Sequence, residues 1–284
     1  MGGAHCFFVS DLHGRVDRYR KLFDAAVAER PAAILLGGDL LPHRWTSRGD
    51  GDFVAGFLVP GVKRLRRRCG NAAPRILLIL GNDDERVAEA LFIEGEHAGL
   101  WEYLHRREAG LGGRRVVGYS YVPPTPFLLK DWERYDVSRF VDPGSVSPEE
   151  GYRTVSFDLA EVRSRTIADD LSELVPTDRA GNTVLLAHSP PYRTCLDRAA
   201  LDGRMVDHVP LDVHVGSVAV RRLIESRQPW LALHGHIHEA PRLTGSWRDQ
   251  LGRTPCLSAA HDGPELALVR FDLDRPEEAR RELI

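Results

Sequence analysis

Short apolar runs alternate with stretches of helical spacing along most of the chain. Each run spans three to five residues, which fits a buried strand better than a helix. Between the runs, apolar side chains recur three or four positions apart, as they do on the buried face of an amphipathic helix. The pattern predicts strands at residues 6–9, 33–36, 76–80, 184–187 and 231–233.

Three of the intervening stretches have the features of amphipathic helices. Residues 18–29 have an apolar stripe, and Pro31 follows as a helix-ending residue. Residues 53–69 repeat this pattern, and residues 217–227 begin at Ser217, a favourable N-cap. The alternation of strands and helices predicts an α/β fold with a largely parallel central sheet.

Two segments interrupt the alternation. Residues 119–150, rich in proline and aromatic side chains, and residues 192–216 are predicted to be long ordered loops that border a functional site. Residues 256–259 and 266–273 are further strand candidates. Because the sequence has no internal repeat and no linker-like tract, we expect residues 1–284 to form a single domain.

The composition narrows the class of protein. Apolar residues make up 43% of the 284 residues, which is enough for a sizeable core and excludes a disordered chain. The net charge of -3 gives no general attraction to nucleic acid or to an anionic membrane. The basic run at residues 63–68 lies in a predicted amphipathic helix, and we interpret it as a solvated helix face rather than a nucleic-acid site.

The expected compartment is the cytoplasm. The first apolar run leads directly into polar residues, unlike a secretory signal, and no apolar stretch approaches the roughly 20 residues of a membrane span. The four cysteines have no C-x-x-C spacing and are interpreted as reduced thiols in or near the core.

Polar residues follow each of the five apolar runs. If these runs are parallel strands of one sheet, the polar residues lie along its carboxyl edge, where open α/β sheets place their sites. The five sets are Asp11-Leu12-His13, Gly38-Asp39, Gly81-Asn82-Asp83-Asp84, His188 and Gly235-His236-Ile237-His238.

The residue types in these sets suit metal ions. Carboxylate, imidazole and amide oxygen ligands together favour borderline ions such as Mn, Fe or Zn. Asp11 and His13 are two positions apart, as are His236 and His238, so each pair points to one side of an extended chain. The glycines beside the ligand candidates allow tight turns and close approach of the backbone.

The five motifs, in this order, resemble those of the calcineurin-like metallophosphoesterases. That family has D-x-H, G-D, G-N-H-[D/E], H and G-H-x-H, each on a loop after a strand. The resemblance implies that Asp11, His13 and His238 hold one metal ion. It implies that Asn82, His188 and His236 hold a second and that Asp39 bridges the two.

The resemblance also implies a fold and a reaction. The fold is a four-layer α/β/β/α sandwich with two mixed β-sheets. In the reaction, two divalent ions about 3.5–4 Å apart activate a water molecule that attacks a phosphate ester. Mn is the expected ion, with Fe or Zn as alternatives, and the expected partner is a small phosphoester substrate.

The third motif departs from the family pattern. The family's G-N-H histidine assists the phosphate and protonates the leaving oxygen, but residue 83 is Asp83. Relatives that lack this histidine tend to be phosphodiesterases, so a phosphodiester is the expected substrate. Asp83 is a catalytic candidate, and His43, just after Asp39, is a candidate proton donor or else a solvated loop residue. The role of Asp84, which pairs with that histidine in the family, is open.

Two other functions are compatible with the sequence. One is a phosphomonoesterase that acts on a nucleotide or a phosphoprotein. The other is a catalytically silent scaffold that uses the fold for protein contacts. Near the motifs, Arg193 is either a phosphate contact or structural. Tyr121 is either a wall of the site or a structural corner, and His234 is expected to point into the core.

Overall fold

The structure, a computed structural model, describes residues 4–43 and 53–284. Its strands form two six-stranded mixed sheets and one small ribbon. The first sheet has the order β14-β13-β1-β2-β3-β4. Its strands are β1 (His5–Val9), β2 (Ala33–Gly37), β3 (Arg75–Ile79), β4 (Glu102–Tyr103), β13 (Ala267–Asp272) and β14 (Arg275–Leu283).

The second sheet has the order β11-β12-β10-β7-β6-β5. Its strands are β5 (Arg107–Leu111), β6 (Arg114–Tyr119), β7 (Thr183–Ala187), β10 (Leu231–His234), β11 (Arg248–Leu251) and β12 (Thr254–Ser258). The ribbon consists of β8 (Met205–Val206) and β9 (Val209–Pro210). In the first sheet, β1 to β4 are parallel and β4 forms one edge, while β13 and β14 are added to β1 by antiparallel pairing. In the second sheet the four central strands are parallel, and an antiparallel strand is added at each edge.

The prediction of one largely parallel sheet is wrong. The first three apolar runs lie in the first sheet, and the last two lie in the second. All five runs are buried on both faces, because each sheet is covered by helices on one side and by the other sheet on its opposite side. Continuous apolar runs indicate only that both faces of a strand are covered, whichever element covers them.

Alternate strand residues divide between two parts of the core. Phe8 and Leu35 of the first sheet and Leu186 and Leu233 of the second face each other between the sheets. Their neighbours, such as Phe7, pack outward under the helices. The resulting α/β/β/α sandwich confirms the fold class implied by the family resemblance.

The helices cover the two outer faces. A π-helical turn, Val54–Leu58, leads into α2, and α2 packs with α1 over the first sheet. Over the second sheet, α5 packs with α7. In chain order the helices are α1 (Val16–Glu29), α2 (Val59–Cys69), α3 (Glu89–His97), α4 (Leu159–Ser164), α5 (Ile167–Leu174), α6 (Thr177–Ala180), α7 (Val218–Arg227) and α8 (Ala240–Thr244).

The three predicted helices are present with small changes at their ends. As predicted, Ser217 caps α7, and its hydroxyl accepts a hydrogen bond from the Val220 amide. The carboxylate of Asp136, from the first long loop, also accepts hydrogen bonds from the first amides of this helix. The basic residues of α2 are exposed except Arg66, which is half-buried and donates to the Leu100 carbonyl oxygen, whereas Leu65 points into the core.

Both predicted loops are largely irregular. Segment 119–150 contains isolated bridges, and segment 192–216 contains the β8–β9 ribbon. The first loop leaves the carboxyl end of β6 beside β7 and reaches the segment after Asn82 through the hydrogen bond from the Arg86 amide to Asp131. The single-domain organisation stays a prediction.

Several smaller expectations are also resolved. All four cysteines are free thiols, and three of them are buried. His234 is fully buried, as expected, and its Nδ1 contacts two carbonyl oxygens. Among the helices of the described ranges, none has the length and apolar character required to cross a membrane.

Candidate metal centre

The seven predicted ligands converge where the carboxyl ends of the two sheets meet. Each side chain follows the end of a central parallel strand, so the sheets fix where the ligand loops begin. The first sheet contributes Asp11 and His13 after β1, Asp39 after β2 and Asn82 after β3. The second contributes His188 after β7 and His236 and His238 after β10.

One group of potential ligand atoms comes from Asp11, His13, Asp39 and His238. One donor atom from each of these residues lies within 4.8 Å of the others. His13 Nε2 is 3.0 Å from His238 Nε2, which is itself 3.2 Å from Asp11 Oδ1. This group matches the first metal site implied by the family resemblance, with Asp39 added.

A second group comes from Asp39, His188 and His236, again with all donor atoms within 4.8 Å. His188 Nε2 lies 3.2 Å from Asp39 Oδ2 and 3.1 Å from Asn82 Oδ1. Asp39 therefore belongs to both groups, which is the position expected of a residue that bridges two ions.

Two of the histidine donors are neutral without metal, and two, His188 and His238, hold a proton that a metal ion would displace. Burial lowers the pKa of His13 to about 4 and that of His236 to about 3, so both imidazoles are neutral at pH 7 and present lone pairs. Burial alone would lower the pKa of His188 too, but the Asp39 carboxylate outweighs it and raises this pKa to about 10. Burial likewise lowers the pKa of His238, but the Asp11 carboxylate outweighs it and raises this pKa to about 9. The metal-free centre therefore attracts positive charge, and the donor set fits two divalent ions.

The orientation of His188 is fixed by the backbone. Its Nδ1 lies 2.7 Å from the carbonyl oxygen of Gly37, which can accept a hydrogen bond from a protonated Nδ1. In that tautomer the neutral ring presents the lone pair of Nε2 toward Asp39 and Asn82. Full burial of the side chain holds the ring in this direction.

The ligand loops have strained backbone conformations. Asp11 (φ 56°), His13 (φ 46°), Asp39 (φ 53°) and His236 (φ 74°) all lie in the left-handed region, which non-glycine residues rarely adopt. Such conformations cost of order 1–3 kcal/mol each and persist where surrounding structure holds them. The motif spacing gave no sign of this strain.

Glycines next to the ligands make room for the donors. A Cβ atom on Gly81 would lie 2.2 Å from Asp39 Oδ1 and 2.6 Å from His188 Nε2. A Cβ atom on Gly235 would lie 2.6 Å from Asp11 Oδ2. At these positions the sequence has glycine because the donor atoms occupy the space of a side chain.

Asp84 connects two of the ligand loops. Its fully buried carboxylate accepts hydrogen bonds from the amides of Leu40 and Leu41, after Asp39, and from the Gly81 amide, before Asn82. Sequence reasoning left the role of Asp84 open. The structure assigns it to positioning, since it joins the Asp39 loop to the Asn82 loop.

Arg18 is a second positioning residue that the sequence did not indicate. The Arg18 guanidinium donates to the carbonyl oxygens of Asp11 and Gly263, 2.6 Å from each. Its place on the apolar face of a predicted helix gave no signal that it holds a ligand loop.

The two catalytic candidates lie beside the first donor group. Asp83 Oδ2 is 3.8 Å from His13 Nδ1 and 3.7 Å from His43 Nδ1. The rings of His13 and His43 stack with their centroids 4.7 Å apart. That Asp83 or His43 takes part in the chemistry stays a prediction.

The other open residues have structural contacts. The Arg193 guanidinium lies over the Tyr192 ring, 5.2 Å from its centroid. Tyr121 is buried, and its hydroxyl accepts a hydrogen bond from Arg86. These contacts favour the structural interpretation of Tyr121, whereas Arg193 is exposed and its role stays a prediction.

Comparisons with known structures agree with the fold. Over 99% of both chains, this chain is similar to the crystal structure of TT1561 of Thermus thermophilus, with 16% identity and a TM-score of 0.57. It is also similar to a dimetal phosphatase from Danio rerio, with 12% identity, a TM-score of 0.52 and coverage of 96% of this chain and 93% of that one. At such identities the likeness shows the fold alone. No curated protein matches the chain significantly.

The sequence itself gives the stronger match. Residues 5–240 match the profile of the family described as Calcineurin-like phosphoesterase. This range includes all seven predicted ligands and most of the described strands. The chain therefore belongs to the calcineurin-like phosphoesterase family.

Proposed function

We propose that this protein hydrolyses a phosphodiester with the help of two divalent metal ions. The observation that supports the proposal is the pair of donor groups that share Asp39, each with its donor atoms within 4.8 Å. When bound, such a pair of ions supplies Lewis acidity at the phosphoryl oxygens and lowers the pKa of a bound water.

The protein's own residues have three tasks in this proposal. Asp39 holds both ions and so fixes their relation to each other. His188 is oriented by the Gly37 carbonyl, and Asp84 keeps the loops of Asp39 and Asn82 in register. Rigid ligands held in advance reduce the reorganisation that the reaction would otherwise require.

Asp83 favours a diester over a monoester. In our proposal it takes the position that the family's G-N-H motif gives to histidine. A phosphate monoester carries a charge of roughly -1.5 to -2 near neutral pH, so Asp83 in its ionised form repels it more than it repels a singly charged diester. Without the histidine, His43 is the proposed source of the proton for the leaving oxygen.

The proposal also names the metal ion and the kind of substrate. We propose Mn as the working ion, with Fe or Zn as alternatives that the same donors accept. The proposed substrate is a small cytoplasmic phosphodiester, since the chain has a slight negative charge and no general affinity for polyanions is expected.

Hydrolysis of bis-p-nitrophenyl phosphate by metal-stripped protein titrated with Mn tests the proposal. We expect Mn-dependent release of p-nitrophenol that Asp39→Asn abolishes, because a neutral amide cannot bridge two cations. Asp24→Asn is the matched control, since Asp24 is an exposed carboxylate that pairs with Arg68.

The same assay separates the alternatives. Faster hydrolysis of p-nitrophenyl phosphate than of the bis-ester would replace the diesterase by a monoesterase. Protein that neither binds Mn or Zn nor hydrolyses either ester would support the scaffold.

A further inference from the structure

The two ring nitrogens of His13 face different surroundings. Nε2 points into the first donor group, 3.0 Å from His238 Nε2. Nδ1 points the other way, toward Asp83 Oδ2 at 3.8 Å. The ring thus lies between the candidate metal site and the side chain that departs from the family motif.

His13 Nδ1 has no hydrogen-bond partner among the described residues, although the atom is buried. The whole side chain is only 10% exposed, so bulk water does not replace a partner. A buried polar N–H without a partner costs about 1–3 kcal/mol, which makes the nearby carboxylate the natural acceptor. The separation of 3.8 Å is too long for a hydrogen bond to the neutral ring, and contacts of this kind often tighten only when a site is filled.

The choice of tautomer determines whether His13 can bind a metal ion. A neutral imidazole carries one proton, and a metal ion needs the nitrogen without it. With the proton on Nδ1, facing Asp83, the lone pair of Nε2 is directed into the donor group. With the proton on Nε2, the ring would direct an N–H at the cation.

We propose that Asp83 is a positioning residue that holds His13 in the Nδ1–H tautomer and directs Nε2 toward the first metal ion. The inference rests on the proposed metal centre and gives Asp83 a role other than proton transfer. Carboxylates of this kind orient metal-ligating histidines in many proteins.

His43 supports the same arrangement from the solvent side. Its ring stacks on His13 with an interplanar angle of 17°, and its Nδ1 is 3.7 Å from the same Asp83 oxygen. On the other side of Asp83, the Asn82 side-chain amide donates to Oδ1 at 3.2 Å. Asp83 is therefore held between a predicted ligand, Asn82, and the exposed ring of His43.

Metal affinity tests the inference separately from catalysis. Isothermal titration of metal-stripped protein with Mn gives the dissociation constants for wild type, Asp83→Ala, Asp83→Asn and the control Asp24→Asn. We expect Asp83→Ala to weaken one of the two sites by about 10–100-fold, the usual effect of losing such a partner. Asp83→Asn should retain most of the affinity, because its amide oxygen still accepts from Nδ1–H.

Activity then distinguishes positioning from proton transfer. Asp83→Asn and Asp83→Ala could lose turnover equally while both keep the wild-type Mn affinity. In that case Asp83 transfers a proton in the reaction, and the inference is overturned. Nitrogen NMR of histidine-labelled, metal-stripped protein gives a second readout, with His13→Gln used for assignment, because a bound ion would itself fix the proton on the other nitrogen. We expect the Nδ1–H tautomer of His13 in wild type and its loss, or mixed tautomers, in Asp83→Ala; an unchanged tautomer in Asp83→Ala overturns the inference.

Failure of the proposed function gives a different result. Wild-type protein could bind Mn without hydrolysing any phosphoester, while Asp83→Ala weakens one of the metal sites. This result would support the positioning role of Asp83 and reject the proposed diesterase activity. Wild-type protein that binds no metal ion would overturn both. Circular dichroism of each variant checks that the fold is intact.

Discussion

At the scale of single residues, Gly81 leaves no room for a side chain beside the ligands. We expect Gly81→Ala to reduce Mn affinity at least tenfold, because the added methyl group would lie 2.2 Å from Asp39 Oδ1 and must displace it. The overpacking should also reduce the free energy of unfolding by about 1–3 kcal/mol. Calorimetric titration with Mn and urea unfolding measure the two effects.

Gly56→Ala is the matched control for this substitution. Its Cβ would have no neighbour within 4 Å, and Gly56 is itself exposed in the helical turn before α2. Metal affinity should stay at the wild-type value. Equal losses in the two variants would show that the Gly81 effect is a general cost of replacing glycine.

The residues of the centre also show what the sequence can and cannot give. The order and spacing of Asp11, His13 and the other motif residues were enough to predict that seven side chains lie at one site. That these side chains bind metal stays a prediction. The left-handed backbone conformation of Asp39 could not be predicted, because residue type alone does not determine φ for aspartate or histidine. Asp84 belongs to a recognised motif, but its role could not be predicted. Its hydrogen-bond donors are backbone amides, and every residue except proline has one.

At the scale of elements, the first long loop depends on a buried ion pair. Lys130 Nζ lies 2.6 Å from Glu133 Oε2, and both side chains are at most 1% exposed. The Thr125 amide donates to the same carboxylate, and Lys130 donates to the Thr125 carbonyl. The pair lies beside the apolar side chains that the loop buries, among them Trp132.

We expect Glu133→Ala to destabilise the protein by about 3–5 kcal/mol, because it removes the acceptor of Lys130 and of the Thr125 amide and leaves the ammonium buried without a partner. The double variant Lys130→Met/Glu133→Ala should recover part of this loss, since no buried charge remains. Urea unfolding of the two single variants and the double variant gives the coupling. Additive losses would contradict the pairing.

The pair also has a pH signature. Burial raises the pKa of Glu133 from 4.5 to about 7, in spite of Lys130. The folded state therefore binds this proton more tightly than the unfolded state, and the Glu133 contribution to the free energy of unfolding falls as pH rises from about 4.5 to about 7. The difference in stability between wild type and the double variant should decline over this window.

Among the elements, the strands were predictable and their partners were not. The five apolar runs all form strands, because buried strands have a distinctive length and composition. Whether β7 pairs beside β3 or stacks above it depends on contacts between distant residues, which periodicity does not contain. The family resemblance supplied the two-sheet arrangement that local patterns missed.

At the scale of the whole molecule, the candidate metal centre joins the two sheets. Buried carboxylates and imidazoles from both sheets face one another at this junction. We expect Mn to raise the melting temperature of metal-stripped protein, since ligand at about a hundred times its dissociation constant adds about 2.7 kcal/mol. A thermal melt with and without EDTA measures the shift.

Asp39→Asn is the comparison for this experiment. Because Asp39 belongs to both donor groups, its loss should remove most of the Mn-dependent shift. A full shift in this variant would mean that Mn stabilises the fold from another site.

The order of the strands along the chain has a consequence for synthesis. The chain builds β1 to β4, then the second sheet, and returns to the first sheet only for β13 and β14. During synthesis, one edge of β1 therefore stays unpaired until nearly all of the other strands have left the ribosome. An unpaired strand edge can form hydrogen bonds with the wrong strand. A nascent chain that stops after β12 contains every predicted ligand. It still lacks β13, the strand that pairs with β1, and Asp11 and His13 follow β1 directly.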